Sequence, residues 1–245
     1  MNYLQAENLK HKRSFAGKLI VLAPVITLLM NILGPLWYQI NSYNWWYILL
    51  CPGFLTLVCA LLEQQDNSKL KYRAVFTLPG NLKKVWGAKI GIAGVYVTLG
   101  NLLFLVLNLL GGYLILAVYK IPLTIGILQV VSGTLCIIIG SLWEVPLSLW
   151  LSKKVGIFLT IVLNVGLGSI LGVLASTSKF WILCPYSWVP HLMISVLKIM
   201  PNGVPATAQN VSLSFGEIAV TLLLSVVVFF FLSLITAKGF EKEAE

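Results

Sequence analysis

The chain has 245 residues, of which 58% are hydrophobic and only 10% are charged, and its formal net charge is +9. A soluble domain carries about 25% charged residues, so the polar surface that a water-soluble protein of this length needs is missing. The basic residues flank apolar segments, which favours topology signals and lipid contacts over binding of nucleic acid. The composition therefore predicts a polytopic membrane protein.

Apolar runs of about twenty residues, the length that crosses a bilayer, recur six times after a polar and basic segment at residues 1–15. No repeat or linker divides the chain, so we expect one all-α transmembrane domain over residues 1–245. The six spans are predicted at residues 18–37, 45–62, 89–114, 126–151, 155–175 and 215–237.

The distribution of basic residues predicts the orientation. If the N-terminus lies inside, fourteen of the seventeen basic residues fall in inner segments, and only Lys120, Lys179 and Lys198 fall in outer ones. The positive-inside rule then places both termini in the cytoplasm. The aromatic residues between spans one and two are predicted to form an outer belt: Trp37, Trp45, Trp46 and Tyr47.

The stretch KLKYRAVFTLPGNLKKVWGAKI, residues 69–90, joins spans two and three and holds six of the basic residues. Pro79 and Gly80 are expected to separate a short helix at residues 69–77, capped by Asp66 or Asn67, from a second helix capped by Asn81. The second helix has one apolar face, formed by Leu82, Val85, Trp86 and Ile90. Two interpretations stay open: a docking surface for a cytoplasmic partner, or an interfacial helix on anionic lipid.

The sequence offers no catalytic constellation. It lacks the G-x-x-x-x-G-K-[ST] loop that binds nucleotide phosphates and the H-E-x-x-H zinc motif, and its two histidines, His11 and His191, are predicted on opposite sides of the membrane. The four cysteines form no C-x-x-C pair. We therefore expect neither an enzyme nor a metal site, and no cofactor bound by this chain.

Glu144 is the one acid predicted deep within a span, and Pro146 follows two residues later. A carboxylate at membrane depth is costly unless it is paired, hydrated or protonated, and the proline removes a backbone hydrogen bond from the preceding turn. One interpretation is a functional hinge or a contact for a cationic substrate. The other is a structural acid bonded to a side chain nearby, with these candidates: Asn101, Asn108, Asn164 and Trp143.

Residues 176–214 form a polar outer segment that contains Trp181, Tyr186 and Trp188 together with four prolines. Aromatic residues with prolines at this position are typical of short, broken helices in an interfacial belt. A functional interpretation is an outer lip that meets an amphipathic peptide as it leaves the membrane.

Four segments together resemble the permease subunits of ABC type-2 exporters, and within them the lantibiotic-immunity permeases of the EpiE/MutE kind. The segments are AENLKHKRSF at residues 6–15, YRAVFTLPGNLKKVWGAK at 72–89, WEVPLSLWLSKKVG at 143–156, and CPYSWVPHL with PNGVP at 184–205. Their order and spacing cover essentially the whole chain. The resemblance implies an N-terminal amphipathic interfacial helix, a cytoplasmic coupling helix after span two, and short outer helices before span six.

The resemblance also implies a function in a bacterial plasma membrane. The chain would pump a cationic amphipathic antimicrobial peptide off the membrane, paired with a sister or identical permease and driven by a P-loop ATPase subunit that holds ATP and Mg²⁺. The candidate residues for docking this ATPase are Arg73, Phe76, Leu78, Pro79, Lys83, Val85 and Trp86. The alternative is a passive immunity or scaffold protein that binds peptide without ATP coupling.

Overall fold

The structure of the chain, a computed structural model, describes residues 3–11, 14–70, 72–76, 80–207 and 215–243, without the side chains of residues 68–70, 73 and 74. These residues are almost entirely helical, and apart from one isolated bridge between Ile199 and Pro205 they contain no β-structure. The predicted all-α fold is confirmed.

Eleven α-helices occur in the described part of the chain. In order they are α1 Tyr3–His11, α2 Phe15–Ile32, α3 Tyr38–Trp45, α4 Cys51–Leu70, α5 Arg73–Phe76, α6 Leu82–Tyr119, α7 Ile127–Ser141, α8 Glu144–Ile161, α9 Gly168–Ser176, α10 Pro185–Val196 and α11 Phe215–Lys242. By length and composition, five helical stretches could cross a membrane: Phe15–Ile32, Pro35–Asn67, Leu82–Tyr119, Glu144–Ser176 and Phe215–Lys242. The chain is therefore a polytopic helical membrane protein.

The stretch Glu144–Ser176 is a hairpin rather than one rod. Gly156 has φ 83° and ψ 170°, which reverses the chain. Asn164 donates a hydrogen bond of 2.7 Å to the hydroxyl of Ser148, although residues sixteen apart in a straight helix lie about 24 Å apart. Residues 127–155 thus form one pass, residues 157–176 form the next, and the helices make the six passes that the sequence predicts.

The helix of the fourth pass is interrupted just before Pro146, where the proline was expected to remove a backbone hydrogen bond. Helix α7 ends at Ser141 and α8 begins at Glu144. Because Pro146 has no N–H, the carbonyl of Leu142 accepts a bond of 3.1 Å from Val145 instead. The backbone between the two helices keeps right-handed helical angles, so the pass continues beyond the break.

The second pass is longer than predicted. A short 3₁₀ turn, Pro35–Trp37, leads into α3, and a π-helical segment, Trp46–Leu50, joins α3 to α4. The polar residues of α3 are helical because they find partners inside the protein: Gln39 accepts from the backbone N–H groups of Thr124 and Ile125 at 2.8 and 3.1 Å. The predicted aromatic belt is consequently wrong in part, because Trp46 and Tyr47 are buried while Trp37 and Trp45 are exposed.

Helix α6 begins in the loop and continues through the third pass without a break. The side chain of Asn81 accepts a bond of 3.1 Å from the N–H of Lys84, which confirms it as the N-cap. With 38 residues, the helix is about 57 Å long, far more than the hydrocarbon thickness of about 30 Å. It therefore extends well beyond the predicted span at residues 89–114.

The loop before α6 differs from its prediction. Helix α4 runs on to Leu70, and only the single turn α5 follows. Asp66 does not cap a new helix, because its carboxylate forms ion pairs with Lys10 at 3.0 Å and with Lys89 at 2.6 Å. Residues 77–79, which include the predicted break, lie outside the described part of the chain.

We call one end of the bundle the basal end; it comprises α1, residues 63–76, the first turns of α6, the Gly156 turn and the last turns of α11. Helix α1 is attached there through Lys10, which also pairs with Glu7 at 2.7 Å. Burial alone would raise the pKa of Glu7, but the hydrogen bond from His11 and the charges of Lys89 and Lys10 lower it below its usual value. Because α1 and the last turns of α11 are both at the basal end, the two ends of the described chain lie there.

At the opposite, distal end the chain turns back into the bundle before the sixth pass. Helix α10 packs between α9 and α7. A Cβ atom on Gly172 would come within 2.6 Å of the carbonyl oxygen of Tyr186, so only glycine permits this approach. The predicted short outer helix thus exists, but it lies within the bundle.

We predict that Gly156→Ala destabilises the protein. A backbone at positive φ and extended ψ is accessible almost only to glycine, and forcing another residue into it costs about 1–3 kcal/mol. The midpoint of thermal unfolding in detergent should fall by several degrees.

Gly166→Ala is the matched control on the same hairpin, because a Cβ atom there meets nothing within 4 Å. It should leave the midpoint unchanged or raise it. Equal midpoints for Gly156→Ala and the wild type would contradict the hairpin.

Candidate functional site

A group of aromatic side chains surrounds one ammonium group at the basal end. The Lys153 Nζ lies 4.3 Å from the ring centre of Phe240 and 4.9 Å from that of Tyr72. The rings of Phe76, Trp86 and Trp150 lie within 5.8–5.9 Å. We call these six residues the basal aromatic cluster; it joins the loop, α6, α8 and α11.

Trp86 is an internal member of this cluster, which corrects its prediction as an anchor for a partner. Its side chain is 0% exposed. The indole N–H donates to the Thr236 hydroxyl at 3.0 Å, and the ring stacks on Phe240 at 4.8 Å. The apolar face predicted on the start of α6 therefore packs against α11 instead of a free surface, and Ile90 on the same face is buried as well.

The other predicted docking residues are distributed around the cluster. Phe76 and Val85 are half-buried, and Phe76 stacks on Tyr72 at 5.8 Å. Lys83 is exposed and pairs with Glu241 at 2.7 Å. Arg73 lies on α5 with its side chain undescribed, and Leu78 and Pro79 lie outside the described residues.

A second group of charges fixes the loop to α1 and α6. The Lys89 side chain is 1% exposed, although it carries an ammonium group. It donates to Asp66 at 2.6 Å and to the Tyr72 hydroxyl at 3.1 Å, and Tyr72 donates to Glu63 at 3.3 Å. Because Tyr72 belongs to both groups, the loop cannot shift without disturbing α6, α8 and α11 together.

Glu144 lies inside the bundle, and its carboxyl group forms no hydrogen bond or ion pair with the described residues. It is 6% exposed, and within the described residues its Oε2 atom has no hydrogen-bond partner. It stands twelve residues before the Gly156 turn, about 18 Å along the helix, and thus near the middle of a hydrocarbon layer of about 30 Å.

The structural partners proposed for Glu144 are engaged elsewhere. Asn101 accepts from the indole of Trp46 at 2.9 Å, and Asn108 donates to the Ser42 hydroxyl at 2.6 Å. Asn164 bonds to Ser148 and accepts from the Tyr186 hydroxyl at 2.8 Å. The asparagines therefore link helices, as expected of polar residues within membranes. The indole N–H of Trp143 finds no partner in the described structure either.

A cavity of about 20 Å³ adjoins the Glu144 carboxyl group. Its polar lining comprises Tyr47, Cys51, Ser141, Glu144, Asn164, Ser169 and Tyr186. A cavity of this size holds about one water molecule, and a water needs two to four polar partners. The site can thus hydrate one carboxyl group near the break in the fourth pass, whereas no group of three or more metal-binding side chains occurs in the part of the chain described.

The predicted outer lip is wrong in its geometry. Trp188 is 3% exposed and donates to the carbonyl of Ile182 at 3.0 Å. Trp181 is half-buried and stacks on His191 at 4.0 Å. Tyr186 points inward to Asn164, because α10 turns back to the depth of the Glu144 cavity. These aromatics line the interior instead of an exposed rim.

Four members of the basal aromatic cluster were absent from the predicted site: Tyr72, Trp150, Lys153 and Phe240. The KK pair at residues 153–154 predicted only a turn, and Phe240 lies in a charged tail. Their meeting depends on contacts between residues far apart in the chain, which no local pattern signals.

Comparisons with protein-family models, with curated proteins and with solved structures found no match. The resemblance to exporter permeases therefore stays a prediction from the sequence, and function must be argued from the geometry of the two sites.

We predict that Glu144→Leu stabilises the protein, because it removes a buried carboxyl group whose Oε2 atom has no protein partner within the described residues. Such an oxygen costs about 1–3 kcal/mol, and for a chain of this size each kcal/mol shifts the unfolding midpoint by about 2–4 °C. Thermal unfolding in detergent should show a rise of a few degrees.

Asn164→Leu likewise replaces a buried polar side chain by leucine, at a neighbouring position where both the amide nitrogen and the amide oxygen are bonded. It should lower the midpoint, since Ser148 and Tyr186 lose their partner. A fall of similar size in both variants would show that Glu144 has a structural partner.

Proposed function

We propose that the chain is the membrane-spanning permease subunit of an ATP-driven exporter, and that a separate P-loop subunit hydrolyses ATP. The observation that carries this proposal is the basal aromatic cluster. It links residues 72–76 of the loop to the fourth pass through Lys153 and Trp150, and that pass also holds Glu144. A force applied to the loop would be transmitted to the helix that bears the unpaired acid.

The orientation is part of the proposal. The basal end carries the loop and both ends of the described chain, and fourteen of the seventeen basic residues belong to the segments assigned to it. By the positive-inside rule this end faces the cytoplasm, where a P-loop subunit would find ATP and Mg²⁺. The loop then becomes the docking site, with Phe76, Val85 and the lysines at its surface and Trp86 as its internal support.

The substrate class follows from the sequence resemblance: a cationic amphipathic antimicrobial peptide removed from the membrane of a bacterium. A carboxyl group at mid-depth, beside a small polar cavity and a break in the helix, is a suitable contact for a cationic side chain in transit. A second permease chain, identical or related, would complete the pathway.

We predict that Phe76→Ala and Lys84→Glu each lower co-purification of the ATPase. Truncation of an aromatic anchor costs about 2 kcal/mol or more, so binding should weaken at least about tenfold. Lys84 is exposed and, within the described residues, makes no ion pair, so reversing its charge disturbs no internal contact.

Lys179→Glu makes the same charge change at an exposed distal position and should bind the ATPase as the wild type does. Unfolding midpoints of all three variants separate loss of docking from loss of fold. If no P-loop protein co-purifies with the wild-type chain, while peptide resistance persists, the protein acts as a passive scaffold and the proposal fails.

We predict further that Glu144→Gln lowers resistance to the peptide while expression stays normal. The amide keeps the shape of the side chain but removes the ionised form. Wild-type resistance in this variant, at equal amounts of protein in the membrane, would show that transport does not need an ionised carboxylate.

A further inference from the structure

A groove opens on the lipid-facing side of the bundle between the first turns of α6 and the last turns of α11. Its volume is about 420 Å³. The walls carry Phe229, Phe230 and Leu234, and Gly87 and Gly91 of α6 also line the groove. A Cβ atom on Gly87 would meet nothing within 4 Å, so this part of the groove is empty within the described structure.

Two lysines stand at the mouth of this groove, at the basal end. Lys83 lies in the first turn of α6 and Lys238 lies in the last turns of α11, and both are exposed. The stretch from Lys83 to Gly91 is about 12 Å long, so the groove runs from the membrane surface into one leaflet. Lysines at helix ends extend their ammonium groups to the interface in this way.

The charge at the mouth is positive on balance. Lys83 pairs with Glu241, but Lys238 forms no ion pair with the acids of the described residues. An apolar groove with a cationic mouth has the polarity of a phospholipid with an anionic headgroup, and basic pockets between transmembrane helices bind such headgroups.

We propose that this groove binds one anionic phospholipid, with an acyl chain between α6 and α11 and the headgroup phosphate held by Lys238 and Lys83. A second copy of the chain fits less well, because a symmetric contact through this face would bring four lysines together with only two Glu241 carboxylates. A cationic peptide would meet the same repulsion. The inference goes beyond the proposed transport function and does not depend on ATP coupling.

Occupancy of the groove would strengthen the basal end. The phosphate would join α6 to α11 at the level of the Lys83–Glu241 pair, and Glu241 directly follows Phe240 of the basal aromatic cluster. Bound lipid should therefore raise the temperature at which the purified chain unfolds.

The test uses the full chain in neutral detergent with added phosphatidylglycerol or phosphatidylcholine. Native mass spectrometry measures the lipid retained, and thermal unfolding measures its effect. We expect phosphatidylglycerol to be retained at least tenfold more strongly than phosphatidylcholine and to raise the unfolding midpoint.

Two variants address the two parts of the site. The double change Lys83→Gln and Lys238→Gln removes the cations. Gly87→Leu places a side chain in the groove from a position where a Cβ atom meets nothing within 4 Å. Each should reduce retention of phosphatidylglycerol at least tenfold. The matched controls, the double change Lys84→Gln and Lys242→Gln at exposed basal positions and Gly166→Leu on an exposed part of the fifth pass, should retain lipid as the wild type does.

Three results would overturn the proposal. The first is equal retention of the two lipids, or retention that neither groove variant changes. The second is an unfolding shift reproduced by inorganic phosphate alone, which would mean an anion site without a lipid. The third is a dimer that Gly87→Leu dissociates while lipid retention stays the same, which would make the groove a subunit interface.

Discussion

The ammonium group of Lys153, enclosed by five aromatic rings, is the interaction on which the basal end of the protein depends. Its side chain is only 7% exposed, and it also pairs with Glu243 near the end of the chain. A desolvated cation over an aromatic face contributes about 2 kcal/mol. Because the rings come from the loop, α6, α8 and α11, one charge holds together segments that are widely separated in sequence.

Polar side chains also join separate helices deeper in the bundle, where asparagines take the role that Lys153 has at the basal end. Asn101, Asn108 and Asn164 each join two helices through side-chain hydrogen bonds. Glu144 differs from these asparagines, because within the described residues it bonds to no side chain and its buried Oε2 atom has no partner. Natural proteins break such local rules mainly at functional sites, which is why Glu144 is the position at which the proposed transport function is tested.

Hydropathy and local signals predicted much of this architecture from sequence. The six passes, the N-cap at Asn81, the break before Pro146 and the short connection between the fourth and fifth passes all depend on residues close together in the chain. The errors concern burial. Helical periodicity correctly placed Trp86 on an apolar face. The sequence pattern of such a face is the same whether the face binds a partner or packs against α11.

The failures at Asp66 and Trp188 have a similar cause. Asp66 is a good helix cap by residue type, yet Lys10 and Lys89, both distant in sequence, take its carboxylate. The sequence placed Trp188 in an outer interfacial segment, since it does not show that α10 turns back into the bundle. Local propensity predicts elements, whereas the partners of polar and aromatic side chains are decided by tertiary packing.

Transport in vesicles tests the central claim most directly. The chain would be reconstituted with its co-purified P-loop ATPase, and the amount of a fluorescent cationic amphipathic peptide in the membrane followed after addition of ATP and Mg²⁺. The account predicts that the peptide leaves the membrane with ATP but stays with a non-hydrolysable analogue. The same amount of bound peptide in both conditions, with or without the ATPase, would contradict it.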